Sequence, residues 1–365
     1  MKKYLLTLAS LIMALAILAT TLGGCTTNNS STTTTAAATT SMATTRTITD
    51  AAGRSVVIPT AENIHQVAIL TSPPNVMAFV VGVQDKICAT TNAIGGSTFL
   101  QGMYPRLKTI PAVRAGGGKV NIEALLQTNP DFCIGSDIDI APVNNATKIP
   151  TLQYSDFSTT PYPDPQKKEV RFFGTIFGKD AAARAEKYCT FIDNNVTTIK
   201  SATSGVNTKL KVYMGFNADH LTTFGGDTFM DQWIEAAHCV NAAKPVSTIS
   251  GSEGGLAAMS MEQILSWNPD IVVIDTGKPE DLYSNPTWAN VPAIKNKQVY
   301  LLPKGMFGWN RASTEPAALF PMWLAITAYP TKFPNTTVEK EIKKFYSEII
   351  QYNLTDADVN TVLGK

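Results

Sequence analysis

The chain has 365 residues, 44% of them hydrophobic, and 30 Lys and Arg stand against 29 Asp and Glu for a net charge of +1. That balance, without long basic runs, excludes the electrostatic footprint of a nucleic-acid binder. With three histidines and no Cys-x-x-Cys pair, neither a protein-built metal cage nor a redox dithiol is expected, and no cofactor is called for.

At the start, Lys2 and Lys3 precede an uncharged apolar run from Tyr4 to Leu22, which closes on Leu22-Gly23-Gly24-Cys25. A basic start, an apolar core and small residues are the order of an export signal. The cysteine placed directly after them resembles the lipobox of exported lipoproteins. Residues 1–24 therefore read as a leader and Cys25 as the lipid-bearing start of the mature chain. Retention of the run as a membrane anchor is the alternative, since about 20 apolar residues span a bilayer. Residues 25–45 are nearly all Thr, Ser, Ala and Asn. Without large apolar side chains to offset the entropy of ordering, such a stretch is expected to be a tether.

The remaining residues open with Thr47-Ile-Thr-Asp-Ala-Ala-Gly-Arg-Ser-Val-Val-Ile-Pro59, whose alternation about a Gly-containing turn predicts a β-hairpin. Gln66–Leu70 then reads as a buried strand running into Thr71-Ser-Pro-Pro-Asn75. Cys88 and Cys133 lie in apolar runs and read as buried free thiols.

A repeat carries the most information. Asn121-Ile-Glu-Ala-Leu-Leu-Gln-Thr-Asn-Pro-Asp-Phe-Cys-Ile134 aligns without a gap on Ser260-Met-Glu-Gln-Ile-Leu-Ser-Trp-Asn-Pro-Asp-Ile-Val-Val273. Asn121 or Ser260 caps a short helix, the Asn-Pro pair stops it, and a buried strand follows. Small polar residues end each strand: Gly135-Ser136-Asp137 and Asp275-Thr276-Gly277. In open α/β sheets ligands bind beyond such carboxyl ends. Ser136 to Asp139 and Thr71 to Asn75 fall there, though no side chain among them stands out.

Between the copies, Lys179 to about Lys200 runs without Gly or Pro, with Ala185, Tyr188, Ile192, Val196 and Ile199 at helical spacing. The expected fold is α/β: two Rossmann-like lobes joined by one long rigid α-helix, with a ligand cleft between them. The divisions are 46–165 for the first lobe, 166–203 for the helical linker and 204–365 for the second lobe.

In the second lobe, Lys209–Met214 is a further expected strand, and Phe224-Gly225-Gly226-Asp227-Thr228 leads into a helix near Phe229. Its N–H groups either meet an anion or make a tight turn. The strand Val299–Leu302 opens on Lys304-Gly-Met-Phe-Gly-Trp-Asn-Arg-Ala-Ser313. There Met306, Phe307 and Trp309 offer contact surface, and Arg311 offers a forked donor for carboxylate or phosphate. Tyr154 and Phe157 are placed to face them from the other lobe; packing within a lobe is the competing role for these aromatics. Among the histidines, His65 is placed at a strand start and His238 inside a helix, which leaves His220 as the one suited to a cleft.

The hairpin with Thr49-Asp50-x-x-Gly53-Arg54-x-Val56-x-Ile58-Pro59, the two Glu…Asn-Pro-Asp segments, the linking helix and Trp288-x-x-Val291-x-Ala293-Ile294-Lys295-x-x-x-Val299-Tyr300 are, as an ordered set, similar to the periplasmic-binding-protein family for siderophores, haem and cobalamin. The resemblance implies an extracytoplasmic monomer that captures a metal chelate (iron–siderophore, haem or corrinoid) and delivers it to an ABC permease dimer with a cytoplasmic ATPase. It also implies an exposed glutamate on each lobe that meets permease arginines, at Glu123 and Glu262. The helix dipole alone favours an acidic residue in a first turn, by about 0.3–1 kcal/mol. A membrane-tethered sensor or an extracellular hydrolase remain the alternatives, although neither Gly-x-Ser-x-Gly nor His-Glu-x-x-His occurs.

Overall fold

The computed structural model describes residues 43–115, 119–155, 161–248 and 255–365. The leader, Cys25, most of the tether and Phe157 lie outside the described residues.

The entry hairpin pairs β1 (Thr45–Thr49) antiparallel with β2 (Ser55–Pro59). Its turn explains the Asp-x-x-Gly-Arg pattern. The buried Asp50 carboxylate accepts bonds from the N–H groups of Ala52 and Arg54 and from the Arg54 guanidinium, while Gly53 takes φ +79°, a region that favours glycine. Asp50 also accepts from the Gln153 N–H at 3.0 Å, and Ala51 N–H donates to the Gln153 carbonyl. The turn thus satisfies an open strand edge in the first lobe.

That lobe is a wholly parallel sheet of β3 (Val67–Ile69), β4 (Ile87–Thr91), β5 (Ala112–Arg114), β6 (Phe132–Gly135) and β7 (Thr151–Gln153), ordered β5-β4-β3-β6-β7. Helices α1 (Ser72–Val80), α2 (Asn92–Gly95), α3 (Thr98–Met103), α4 (Ile122–Gln127) and α5 (Asp137–Ala146) connect the strands. Two helices follow, α6 (Asp164–Phe177) and α7 (Lys179–Ala202).

In the second lobe β8 (Lys211–Gly215) leads to a ribbon of β9 (Thr222–Phe224) and β11 (Leu256–Ala258), with α8 (Phe229–Ala236) and β10 (Val240–Asn241) between them. Then come α9 (Met261–Trp267), β12 (Ile271–Ile274), α10 (Pro279–Tyr283), α11 (Pro292–Lys295) and β13 (Val299–Leu301), followed by α12 (Thr314–Ala328), α13 (Val338–Phe345) and α14 (Asp356–Leu363). The second sheet is also parallel, ordered β10-β8-β12-β13. That order matches β4-β3-β6-β7, so the repeat seen in sequence is a duplicated half in topology.

The shared Asn-Pro-Asp has a backbone cause in both copies. Asn129 and Asn268 adopt φ +44° and +53°, the left-handed conformation that ends a helix and that Asn tolerates. Asp131 then accepts from the N–H groups of His65 and Gln66, and Asp270 from that of Lys211, so each carboxylate fixes the start of the neighbouring strand. Every residue of β6 and β12 is buried, as expected for central parallel strands covered on both faces.

The linker differs from a lone helix. α6 packs along α7 through a joint at Gly178, where φ is +92° and a Cβ would come within 2.8 Å of the Ala61 Cβ. The buried face of α7 carries Ala181, Ala185, Tyr188, Ile192 and Ile199. It rests on α12, which is apolar all round and buried along nearly its whole length. Polar bonds lock the stack: Tyr188 donates to the Thr314 carbonyl at 2.8 Å and Asn195 to that of Ala318 at 3.0 Å. Pro321 inside α12 has no N–H for the Ala317 carbonyl, and the Tyr162 hydroxyl donates to it instead, at 2.7 Å. His238 lies just past α8 at φ +62°, outside the helix where the sequence placed it, with its ring against the Val206 carbonyl.

Candidate functional site

Because β3 lies between β4 and β6, and β8 between β10 and β12, chain direction across each sheet reverses beside the first strand of the lobe. Crevices at the carboxyl ends of strands beside such reversals are where open α/β sheets hold ligands.

In the first lobe that point is polar and tightly built. Thr71 follows β3 and Ser136 follows β6; the Ser136 N–H donates to the Thr71 hydroxyl at 2.9 Å. Both hydroxyls donate to the buried Asp139 carboxylate in the first turn of α5, the serine at 2.7 Å. The other carboxylate oxygen is ion-paired with Nε of Arg114, the last residue of β5. As β5 and β6 are three steps apart in the sheet, this pair runs across the ends of β4 and β3. The terminal nitrogens of Arg114 make no hydrogen bond among the described residues. The same network fixes the turn carrying Ile138, whose apolar side chain is 75% exposed.

In the second lobe Asp275 follows β12, and its N–H donates to the Gly215 carbonyl at the end of β8. Burial pushes the Asp275 carboxyl up, against Lys304 and His220, which draw it down. His220 is only 6% exposed and takes φ +58° in the turn after β8. Burial lowers its pKa, opposed by Asp275, Asp219 and Asp281, so the ring favours the neutral form. Its Nδ1 and the Asp275 Oδ1 are buried without a hydrogen bond among the described residues. No group of three His, Cys, Asp or Glu that could hold a metal ion occurs among the described residues.

The segment after β13 is a small loop closed by a bridge between Lys304 and Gly308. Arg311 is exposed, without an ion pair among the described residues, and Phe307 is partly exposed. Met306 and Trp309 are buried, the latter edge-on to Trp323 of α12. Tyr154 is buried beyond β7, and burial pushes its hydroxyl far above the ordinary range. Phe224 is buried between Phe216 and Phe229. The N–H groups of the two glycines that follow are already used, Gly225 donating to the Thr248 hydroxyl and Gly226 to the Val246 carbonyl. A Cβ at Gly225 would lie 2.0 Å from that carbonyl oxygen, so these glycines serve close backbone packing.

Glu123 and Glu262 are exposed in the first turns of α4 and α9. Crossover helices run antiparallel to the strands they join, so these turns lie toward the carboxyl-end side of each sheet. A groove of about 800 Å³ lies elsewhere, beside the open edge of β13 between Tyr300, Trp323, Ile326, Val338 and Leu363. Among the described residues no helix is long and apolar enough to cross a membrane.

Two duplicated α/β halves with polar strand ends, packed on a helical backbone, make a two-lobed fold. The periplasmic binding protein profile matches residues 67–305, and the chain belongs to that family. It is accordingly an extracytoplasmic solute-binding component of an ABC transporter, not an enzyme. The molybdate-binding protein MolA of Haemophilus influenzae is 24% identical over 337 residues, covering 83% of this chain and 90% of MolA. The solved MolA–molybdate structure superimposes with a TM-score of 0.71 at 22% identity, over 85% of this chain and 99% of that one. A periplasmic solute binding protein of Veillonella parvula superimposes with a TM-score of 0.73 at 24% identity, over 88% and 97%. An uncharacterized ABC transporter substrate-binding lipoprotein of Bacillus subtilis, YvrC, is 23% identical over 264 residues, covering 70% of this chain and 77% of YvrC.

Proposed function

We propose that the solute is an anionic metal complex, held between the carboxyl ends of the two sheets and passed to an ABC permease dimer. The arrangement of Arg114 carries this reading. Asp139 fixes the guanidinium across the strand ends and leaves its terminal nitrogens without a hydrogen bond among the described residues, a preorganised fork for carboxylate, catecholate or oxyanion oxygens. Arg311 answers it from the second lobe, with Phe307 and Ile138 as apolar contacts. Met306, Trp309, Tyr154 and Phe224 form the support behind them. Catecholate siderophores, the propionates of haem and the phosphodiester of a corrinoid offer such oxygens, and so does molybdate, the solute named for MolA. Cys25 is the lipid attachment, in keeping with the lipoprotein named among the relatives. Glu123 and Glu262 are the docking carboxylates, and the receptor acts as a monomer.

Tryptophan-fluorescence titration of the exported protein against ferric siderophores, haemin, cobalamin and molybdate tests the reading. Saturable quenching by one class is expected. Arg114→Ala and Arg311→Ala should each raise its Kd about tenfold or more, the worth of a charge-assisted hydrogen bond. Unchanged affinity in the double variant rules out an anionic solute at this site.

A further inference from the structure

Across the repeat the two copies share five residues: Glu123 with Glu262, Leu126 with Leu265, Asn129 with Asn268, Pro130 with Pro269 and Asp131 with Asp270. The fold accounts for three. Each Asn takes the left-handed conformation, each Pro is buried where the helix stops, and each Asp carboxylate receives the N–H groups of the neighbouring strand. The glutamates gain only the helix-dipole benefit of a first turn, Leu265 packs in part against the second lobe's core, and Leu126 has no such cause. Leu126 is 52% exposed, and three residues after Glu123 it lies on the same face of α4. Leu265 holds the same relation to Glu262 on α9 and is half-buried. The inward neighbour, fully buried in both copies, differs: Leu125 in one and Ile264 in the other. Identity is thus kept at the less buried of the two positions. A single exposed leucine is ordinary. Packing accounts in part for Leu265 but not for Leu126, which stands beside the same carboxylate on a lobe of matching topology.

We propose that Leu126 and Leu265 are docking residues, each forming with its glutamate a carboxylate-and-apolar pair that seats on one half of a two-fold membrane permease. The proposal rests on the docking reading of Glu123 and Glu262. It commits to a partner that repeats its own surface, with a cation beside an apolar hollow on each half, because only such a surface meets two equal copies equally. The carboxylates steer and orient the encounter, an effect that salt screens. The leucines add apolar burial, which salt does not screen.

The test uses the full lipid-anchored chain and its permease–ATPase complex in nanodiscs, with the dissociation constant measured at low and high salt. Leu126→Ser with Leu265→Ser should weaken association about tenfold at both salt levels, the scale of one side chain's apolar burial. Solute affinity should stay at the wild-type value in both variants, and so should the melting temperature of Leu126→Ser alone. Glu123→Gln with Glu262→Gln should weaken association most at low salt. If the leucine pair associates as wild type while the glutamate pair does not, the leucine proposal falls and the docking reading stands. If neither pair weakens association, both fall. Should Leu265→Ser lower the melting temperature, Leu126→Ser alone decides, with about a threefold loss expected for one of two equal contacts.

Discussion

Replacing Glu123 and Glu262 together by lysine is expected to cut uptake of the bound solute at least about a hundredfold while leaving its affinity for the receptor unchanged. Both carboxylates are exposed in first helical turns and make no hydrogen bond or ion pair among the described residues, so neither holds the fold. Reversal turns two attractive pairs with permease cations into like-charge contacts, which cost several kcal/mol at an interface. Loss of the helix-dipole benefit should destabilise the chain by only about 0.3–1 kcal/mol per site. Transport of labelled solute into cells, measured beside fluorescence titration of the same variants, separates delivery from capture. Uptake at wild-type rates would remove the two glutamates from docking.

Glu315→Gln is expected to flatten the dependence of stability on pH between about 5 and 8. Glu315 sits in the first turn of α12 with no exposed surface. Its carboxylate accepts from the Tyr346 hydroxyl at 2.6 Å and from the Phe307 N–H at 3.3 Å, while the same Tyr346 oxygen accepts from the Met306 N–H. Together they pin the loop that leads to Arg311. Burial pushes the carboxyl up to about 7 from an ordinary 4.5, against the pull of Tyr346, the Phe307 and Met306 N–H groups and Trp309. A folded-state pKa above the unfolded one means that folding favours the protonated form. The group's contribution is therefore full below about 4.5 and is lost as pH rises through about 7, a change on the order of 3 kcal/mol. Glutamine keeps the shape and an acceptor for Tyr346 but cannot titrate. Subtracting the unfolding free energies of variant from wild type at pH 5, 6.5 and 8 cancels the opposite contribution of His220, whose pKa is lowered. A difference that does not vary with pH would contradict a buried, titrating Glu315.

The duplication was legible in the sequence because its cause is local. Left-handed Asn, helix-stopping Pro and strand-capping Asp act within a few residues of one another or on an adjacent strand, so they leave the same short signature twice. The hairpin was legible for the same reason, as Asp50, Gly53 and Arg54 complete one turn. What was hidden depends on long-range arrangement. Arg114 is followed by a run of glycines, and its partner Asp139 lies 25 positions on; only the strand order carries the guanidinium across the sheet to it. Likewise Glu315 and Tyr346 meet only because α12 packs against the C-terminal helices. The aromatic residues near position 307 show the limit from the other side. Whether Trp309 faces a solute or a neighbouring helix is decided by Trp323, which nothing in the local sequence announces. The linker reads as one helix because α7 is long and uninterrupted, whereas its pairing with α6 turns on the single glycine at 178.

The solute is expected to lie between the strand ends of the two duplicated sheets. Anomalous scattering from the metal in co-crystals with the solute that quenches fluorescence locates it without reference to any assumed contact. The expected result is one strong peak flanked by Arg114 and Ile138 on one side and Arg311 on the other. A peak in the groove beside Tyr300 and Leu363, or outside both lobes, would contradict the account.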